Sequence, residues 1–167
     1  SGGILHGGLA LQGGRGYLFT APPGGGKSTA LSRLPAPWEV LSDDAALVWF
    51  DAEGHPWASP LPTWSALLGR GSMLSADHIP RATEKVSIAG ALLLQKALSE
   101  RIVALSPIDA APPLYRALCE HPAMLGQRRL CKAALFHCAC ELARKAPVWQ
   151  LELRKDGAFW ETLAEVV

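Results

Sequence analysis

The stretch Gly16-Tyr17-Leu18-Phe19-Thr20-Ala21-Pro22-Pro23-Gly24-Gly25-Gly26-Lys27-Ser28-Thr29 constrains the fold more than any other part of the chain. An apolar run feeds a glycine-rich turn that ends in Gly-Lys-Ser and opens a helix, which is the strand, loop and helix order of a phosphate-binding loop. Consecutive glycines let backbone N–H groups close around phosphate oxygens. Lys27 would reach the β/γ-phosphates, and the Ser28 hydroxyl would complete a Mg²⁺ shell. The helix opening near Lys27 adds the positive end of its dipole and its unpaired N–H groups. Ala21 stands where the pattern G-x-x-x-x-G-K-[ST] has its first glycine. Alanine is the smallest replacement, so an altered start to the loop is expected and not a lost site. The expected nucleotide-binding residues are Ala21, Pro22, Pro23, Gly24, Gly25, Gly26, Lys27, Ser28 and Thr29. The alternative is a glycine-rich turn with a surface lysine.

At 167 residues and 49% hydrophobic content, residues 1–167 are expected to form one globular unit around an ordinary core. Sixteen basic residues against fifteen acidic ones leave a net charge of +1, and no basic stripe is present, so no nucleic-acid partner is expected. No apolar run approaches the roughly 20 residues of a membrane span, and Ser1-Gly2-Gly3 lacks the regions of a signal peptide. The expectation is a soluble cytoplasmic protein with no membrane partner. A start without methionine leaves room for residues upstream.

Leu5 to Leu11 alternates around glycines, Gly13 to Gly16 supplies a turn, and Tyr17 to Thr20 is apolar, which predicts a hairpin leading into the loop. A brief helix over Ser28 to Leu34 is stopped by Pro35 and Pro37, and Trp38 to Leu41 predicts a buried strand. Ala46 to Phe50 continues extended, and Asp51 to Gly54 turns the chain back. Proline, glycine and serine scattered over 58–82 predict a long irregular loop beside the site. Glu84 to Lys96 fits a strand containing a glycine, with a helix as competitor, and Arg101 to Leu105 a second strand. Pro107 to Cys119 and Pro122 to Lys145 predict helices, Val148 to Leu153 a half-buried strand, and Phe159 to Val167 a closing helix.

Asp43 and Asp44 follow Lys27 by sixteen and seventeen residues and end a predicted strand. Phosphoryl transfer needs Mg²⁺ on the β/γ-phosphates and a carboxylate that holds the ion or accepts the proton of an attacking hydroxyl. Neighbours on a strand face opposite ways, so both aspartates serve one site only if the strand frays there. The alternative is a solvated turn.

Cys119, Cys131, Cys138 and Cys140 cluster near His121 and His137. A zinc site is not favoured, because positions 138 and 140 of one predicted helix diverge by about 200°. Small buried helix residues with reduced thiols are expected.

His6-Gly7, a glycine-bearing strand, the Lys27-Ser28 loop and Leu41-Ser42-Asp43-Asp44 together resemble the catalytic domain of the HPr kinase/phosphorylase family across residues 5–45. The final Pro147-Val148-Trp149-Gln150-Leu151-Glu152-Leu153 and Phe159-Trp160 are similar to the closing strand and helix of HPr-kinase-like proteins. The resemblance implies an α/β fold of the phosphoenolpyruvate carboxykinase-like P-loop type, with a mixed sheet flanked by helices. It also implies an ATP- and Mg²⁺-dependent serine kinase. Carried over, Lys27 and Ser28 bind phosphate and Mg²⁺, Asp43 or Asp44 is the base with Asp44 also an ion ligand, and His6 assists beside the transferred group. The family's oligomeric habit implies a homo-oligomer. No counterpart of the family's C-terminal signature is recognisable, so the resemblance does not extend to phosphorylation of HPr itself. The layout is more similar to the short HPr-kinase-like proteins found with peptide-modification cassettes, the SynChlorMet type among them. That implies a peptide or small-protein acceptor.

A fixed cation near the γ-phosphate accelerates transfer. Arg81 and Lys85 are the candidates, with Arg70 behind them. Three functions remain in view: a kinase acting on a hydroxyl of a peptide or small protein, a nucleotide-binding regulatory or peptide-binding module that has lost catalysis, and a small-molecule kinase.

Overall fold

The computed structural model describes residues 2–61, 84–121 and 128–167. Among these, nine strands and four helices form a mixed α/β structure. The strands are β1 (Gly2–His6), β2 (Gly8–Gln12), β3 (Arg15–Thr20), β4 (Glu39–Ser42), β5 (Ala45–Phe50), β6 (Pro56–Pro60), β7 (Val86–Lys96), β8 (Arg101–Ala104) and β9 (Val148–Leu153). The helices are α1 (Lys27–Ser32), α2 (Pro107–Glu120), α3 (Arg128–Lys145) and α4 (Phe159–Leu163).

The sheet runs β1-β5-β6-β7-β3-β2-β4, and β9 joins β7 and carries β8. The long strand β7 holds it together. Its first residues pair antiparallel with β6, its middle pairs parallel with β3 from Gly16↔Ile88 to Thr20↔Leu93, and its last six pair parallel with β9. Parallel pairing puts the carboxyl ends of β3, β7 and β9 on one edge. In open α/β sheets that edge is where ligands are received.

The expected hairpin is present as β2 and β3, paired Gly8↔Phe19 through Gln12↔Arg15. The glycine-rich stretch before it divides in two, because β1 pairs with β5 and not with β3. Gly7 is the crossing point, and a Cβ there would stand 2.8 Å from the Phe19 carbonyl oxygen. The expected turn over Asp51 to Gly54 is found, with Gly54 at φ +82°. The irregular segment expected over 58–82 is corrected at its start. Trp57 to Pro60 continue β6 because every one of its residues finds an antiparallel partner on β5. Residues 62–83 lie outside the described part, and the expected irregular loop there, with Arg70, goes with them.

Side chains alternate across the sheet and feed two cores. One face sends Leu5, Leu9, Leu18, Val48 and Ala91 against Leu114 and Leu118 of α2 and Leu135, Cys138 and Leu142 of α3. The other sends Tyr17, Phe19, Leu92 and Leu151 against Ala30 and Leu31 of α1 and Phe159 and Leu163 of α4. Helix α2 is started by the Ser106 hydroxyl, which accepts from the Asp109 N–H at 3.3 Å, with Pro107 in the first turn where a missing N–H costs nothing. Cys138 is fully buried, and that burial pushes its thiol up to about 11, the behaviour of a small packing residue.

Candidate functional site

Three chain segments arrive at the carboxyl edge of β3, and backbone bonds tie them. The Thr20 hydroxyl donates to the His6 carbonyl at 3.0 Å, joining the end of β3 to the end of β1. The Gly7 N–H donates to the Asp44 carbonyl at 2.9 Å, joining the end of β1 to the bend between β4 and β5. Asp43 and Asp44 therefore sit in a bend and not within a strand, and the alternation that would have separated them does not apply.

The loop from Ala21 leaves β3 and closes when the Gly25 N–H donates to the Pro22 carbonyl at 2.8 Å. Gly24 and Gly26 take left-handed backbone, at φ +74° and +90°, on either side of Gly25. Such alternation aims successive N–H groups to one side, as in anion-holding backbone nests. Pro22 and Pro23 offer no N–H, so the loop's donors come from its glycines and from the start of α1.

The loop borders a cleft of about 420 Å³ whose other walls are His6, Asp44 and Lys96, and residues 22–29 all line it. Inside, the Lys27 ammonium donates to His6 Nε2 at 3.0 Å. The His6 ring then carries its proton on Nδ1, which lies 3.6 Å from Asp44 Oδ1. That separation is an electrostatic contact and too long for a hydrogen bond. Burial first, and the Lys27 charge second, hold the His6 imidazole below its ordinary value, while Asp44 and Glu120 push the other way. Burial also lowers the Lys27 ammonium, against the raising fields of Asp44, Asp43 and Glu120. A neutral imidazole thus accepts from a charged lysine, with a carboxylate behind it. Asp43 is half-buried, and its Oδ1 is buried without a hydrogen-bond partner.

Of the residues singled out from the sequence, His6, residues 22–29 and Asp44 share the cleft, and Asp43 lies within electrostatic reach of Lys27. Ala21 is buried beneath the loop. Arg81 lies outside the described residues. Lys85 is a correction. It precedes β7, whose pairing with β3 runs parallel, so it sits at the strand end opposite the loop, about 30 Å of extended chain away. The cation at the loop end of that strand is Lys96, whose ammonium donates to the Gly24 carbonyl at 2.6 Å. The sequence did not single it out, because only the parallel register of β7 with β3 shows which end meets the loop. Glu120, the last residue of α2, was missed because only the packing of α2 on the sheet brings it within electrostatic reach of His6 and Lys27.

Ser28 is exposed beside the half-buried Asp44 carboxylate. A hydroxyl and carboxylates are hard oxygen donors, which fits Mg²⁺ with most of its shell left to water and phosphate. The one group of three clustered ligand side chains among the described residues is Asp51, Glu53 and His55, at the other end of β5 from Asp44. No helix among those residues is long and apolar enough to cross a membrane.

The model of the family described as SynChlorMet cassette protein ScmC matches residues 1–167. No curated protein matches the chain. Among solved structures, the Hpr(Ser) kinase/phosphatase from Coxiella burnetii is similar at 11% identity and a TM-score of 0.46, over 97% of this chain and 94% of that one.

Proposed function

The chain belongs to the SynChlorMet cassette protein ScmC family, and we propose that it is an ATP- and Mg²⁺-dependent kinase transferring a phosphoryl group to a hydroxyl, serine, of a peptide or small protein. The observation that carries this reading is the Lys27–His6–Asp44 chain in the wall of a glycine-loop cleft. A loop that binds nucleotide for structural reasons needs its lysine but has no use for an imidazole and a carboxylate aligned behind it. Phosphoryl transfer uses all three.

On binding a nucleotide, the Lys27 ammonium exchanges its bond to His6 for the β/γ-phosphate oxygens and frees Nε2 to face the transferred group. Ser28 and Asp43 would hold Mg²⁺, which when bound would neutralise charge at the phosphates. Asp44, the aspartate that lines the cleft, accepts the proton of the acceptor hydroxyl as that oxygen bonds the γ-phosphorus and the bond from the γ-phosphorus to the β,γ-bridging oxygen breaks, with ADP leaving. His6 keeps that carboxylate oriented.

The test is calorimetric titration with ATP with and without Mg²⁺, beside Lys27→Ala, followed by transfer of labelled γ-phosphate to candidate peptides. Mg²⁺-dependent binding lost in the variant, with transfer to a serine peptide, is the expected result; transfer retained by Lys27→Ala sinks the assignment. A second reading, a nucleotide-binding module without catalysis, is favoured by Ala21 and by the two N–H groups lost at Pro22 and Pro23. Tight nucleotide binding without transfer to any offered acceptor selects it. Transfer to a free metabolite instead selects a small-molecule kinase.

A further inference from the structure

We propose that Lys96 is a second polyphosphate-binding cation, one that leaves the loop carbonyl it now holds and clamps the phosphate chain of the bound nucleotide from the side opposite His6. This rests on the nucleotide-binding reading of the cleft and extends it to a residue that no sequence motif marks.

Placement comes first. Lys96 ends β7, three residues beyond Leu93, which is registered with Thr20 at the end of β3. The strand that delivers the loop and the strand that delivers Lys96 are thus neighbours with the same direction. Their carboxyl ends open on one edge, the position where an α/β sheet presents groups to a ligand. The side chain turns back over the loop: its Nζ bonds the Gly24 carbonyl at 2.6 Å, and its Cε lies 3.5 Å from where a Cβ on Gly26 would stand. It spans the residues whose left-handed backbone forms the nest.

Charge supplies the second support. A nucleoside triphosphate brings three to four negative charges, and among the described residues Lys27 is the one other lysine or arginine lining the cleft. Lys27 is moreover shared with His6 and flanked by Asp43, Asp44 and Glu120. Lys96 is bonded to the Gly24 carbonyl and to none of those three carboxylates. Its present partner is a neutral carbonyl, a weaker acceptor for an ammonium than a phosphate oxygen. An exposed lysine keeps the rotamer freedom to make that exchange. Lys96 also lines a second groove of about 440 Å³ that shares Pro22 to Gly25 with the first, together with Leu93, Leu105, Asp109, Pro113 and Gln150. It therefore stands where the two hollows meet, and a chain of phosphates passing from one toward the other runs beneath its ammonium.

The competing role is structural: Lys96 would do no more than pin the loop through Gly24. Lys96→Gln separates the two, because the glutamine amide can still donate to that carbonyl but carries no charge. The experiment titrates wild type, Lys96→Gln, Lys96→Arg and Lys27→Ala with Mg²⁺-ATP and with inorganic tripolyphosphate, and melts each protein. Lys96→Gln should bind ATP roughly 10- to 100-fold more weakly, the loss of one charge-assisted hydrogen bond, with unchanged melting. Tripolyphosphate should suffer a similar loss, and Lys96→Arg should stay near wild type. Wild-type affinity in Lys96→Gln overturns the proposal while leaving the nucleotide site intact, provided Lys27→Ala abolishes binding. A loss seen with ATP but not with tripolyphosphate also overturns it, since the contact would then be to the nucleoside. No binding of either ligand by the wild type overturns this inference together with the kinase reading.

Discussion

The Lys27 ammonium donates to His6 Nε2 across 3.0 Å, twenty-one residues away in sequence, so the lysine of the glycine loop is held by an imidazole whose other nitrogen faces Asp44. The bond defines the resting tautomer of His6, while burial lowers the Lys27 ammonium and the fields of Asp44, Asp43 and Glu120 work against that lowering.

The His6 imidazole should titrate below 6.5 in the folded protein. Burial is the main cause and Lys27 the next, so Lys27→Met should raise the midpoint, whereas Asp44→Asn should lower it further. The folded value lies below the unfolded one, so the unfolded chain binds more protons between the two. His6 therefore makes stability rise with pH through that window and level off above 6.5. Imidazole proton shifts followed by NMR from acid to neutral pH measure this directly. A wild-type midpoint above 6.5 would contradict the arrangement.

The two aspartates should separate in kinetics. Asp44 lines the cleft beside His6, and Asp44→Asn should cut the turnover number by about 10²- to 10⁴-fold, the usual contribution of a positioned base. Asp43→Asn should act mainly on the Mg²⁺ concentration needed for half-maximal rate. Steady-state assays over a Mg²⁺ series distinguish the two, and equal losses in turnover would refute the division.

Gly8 should be intolerant of any side chain. Helix α1 packs its Leu31 against the Gly8 backbone, and a Cβ there would also stand 2.9 Å from the Ser42 carbonyl oxygen. Gly8→Ala should cost about 1–3 kcal/mol as an overpacking change. Because α1 begins at Lys27, nucleotide affinity should fall with it. Urea unfolding monitored by circular dichroism gives the first number, and a variant as stable as wild type would show that α1 does not rest on β2.

Arg33 should lock the C-terminal end of the chain. Its guanidinium donates to the Lys155 and Gly157 carbonyls at 2.7 and 2.6 Å and lies over the Phe159 and Trp160 rings at 5.9 and 5.5 Å. Arg33→Ala removes charged hydrogen bonds worth about 1.5–3 kcal/mol each at the upper end, and less here because the group is partly exposed. Amide hydrogen exchange should accelerate across α4, and unchanged protection there would show that Phe159 burial alone holds it.

Much of this was legible along the chain. Alternation located β9, and Pro107 located the start of α2. Gly24 to Ser28 announced a loop whose left-handed glycines the structure contains. These are local matters, decided by which φ/ψ a residue tolerates and which face of an element is apolar. Ala58 to Pro60, the end of β6, were read as irregular because serine and proline there are local breakers, whereas β5 supplied hydrogen-bond partners that local reading does not see.

The site itself divides along the same line. The sequence by itself determined the kinds of group available, a glycine loop with Lys27 and Ser28, the Asp43–Asp44 pair and a histidine near the start. The tertiary structure alone decided their company. It brought His6 onto Lys27, chose Asp44 over Asp43 as the wall of the cleft, and exchanged Lys85 for Lys96 as the cation beside the loop. The physical reason is that a side chain's chemistry belongs to its residue. Which strand ends share an edge depends on pairing direction and register between segments tens of residues apart. Reversing β7 against β3 would have left every motif in place and put a different lysine beside the loop.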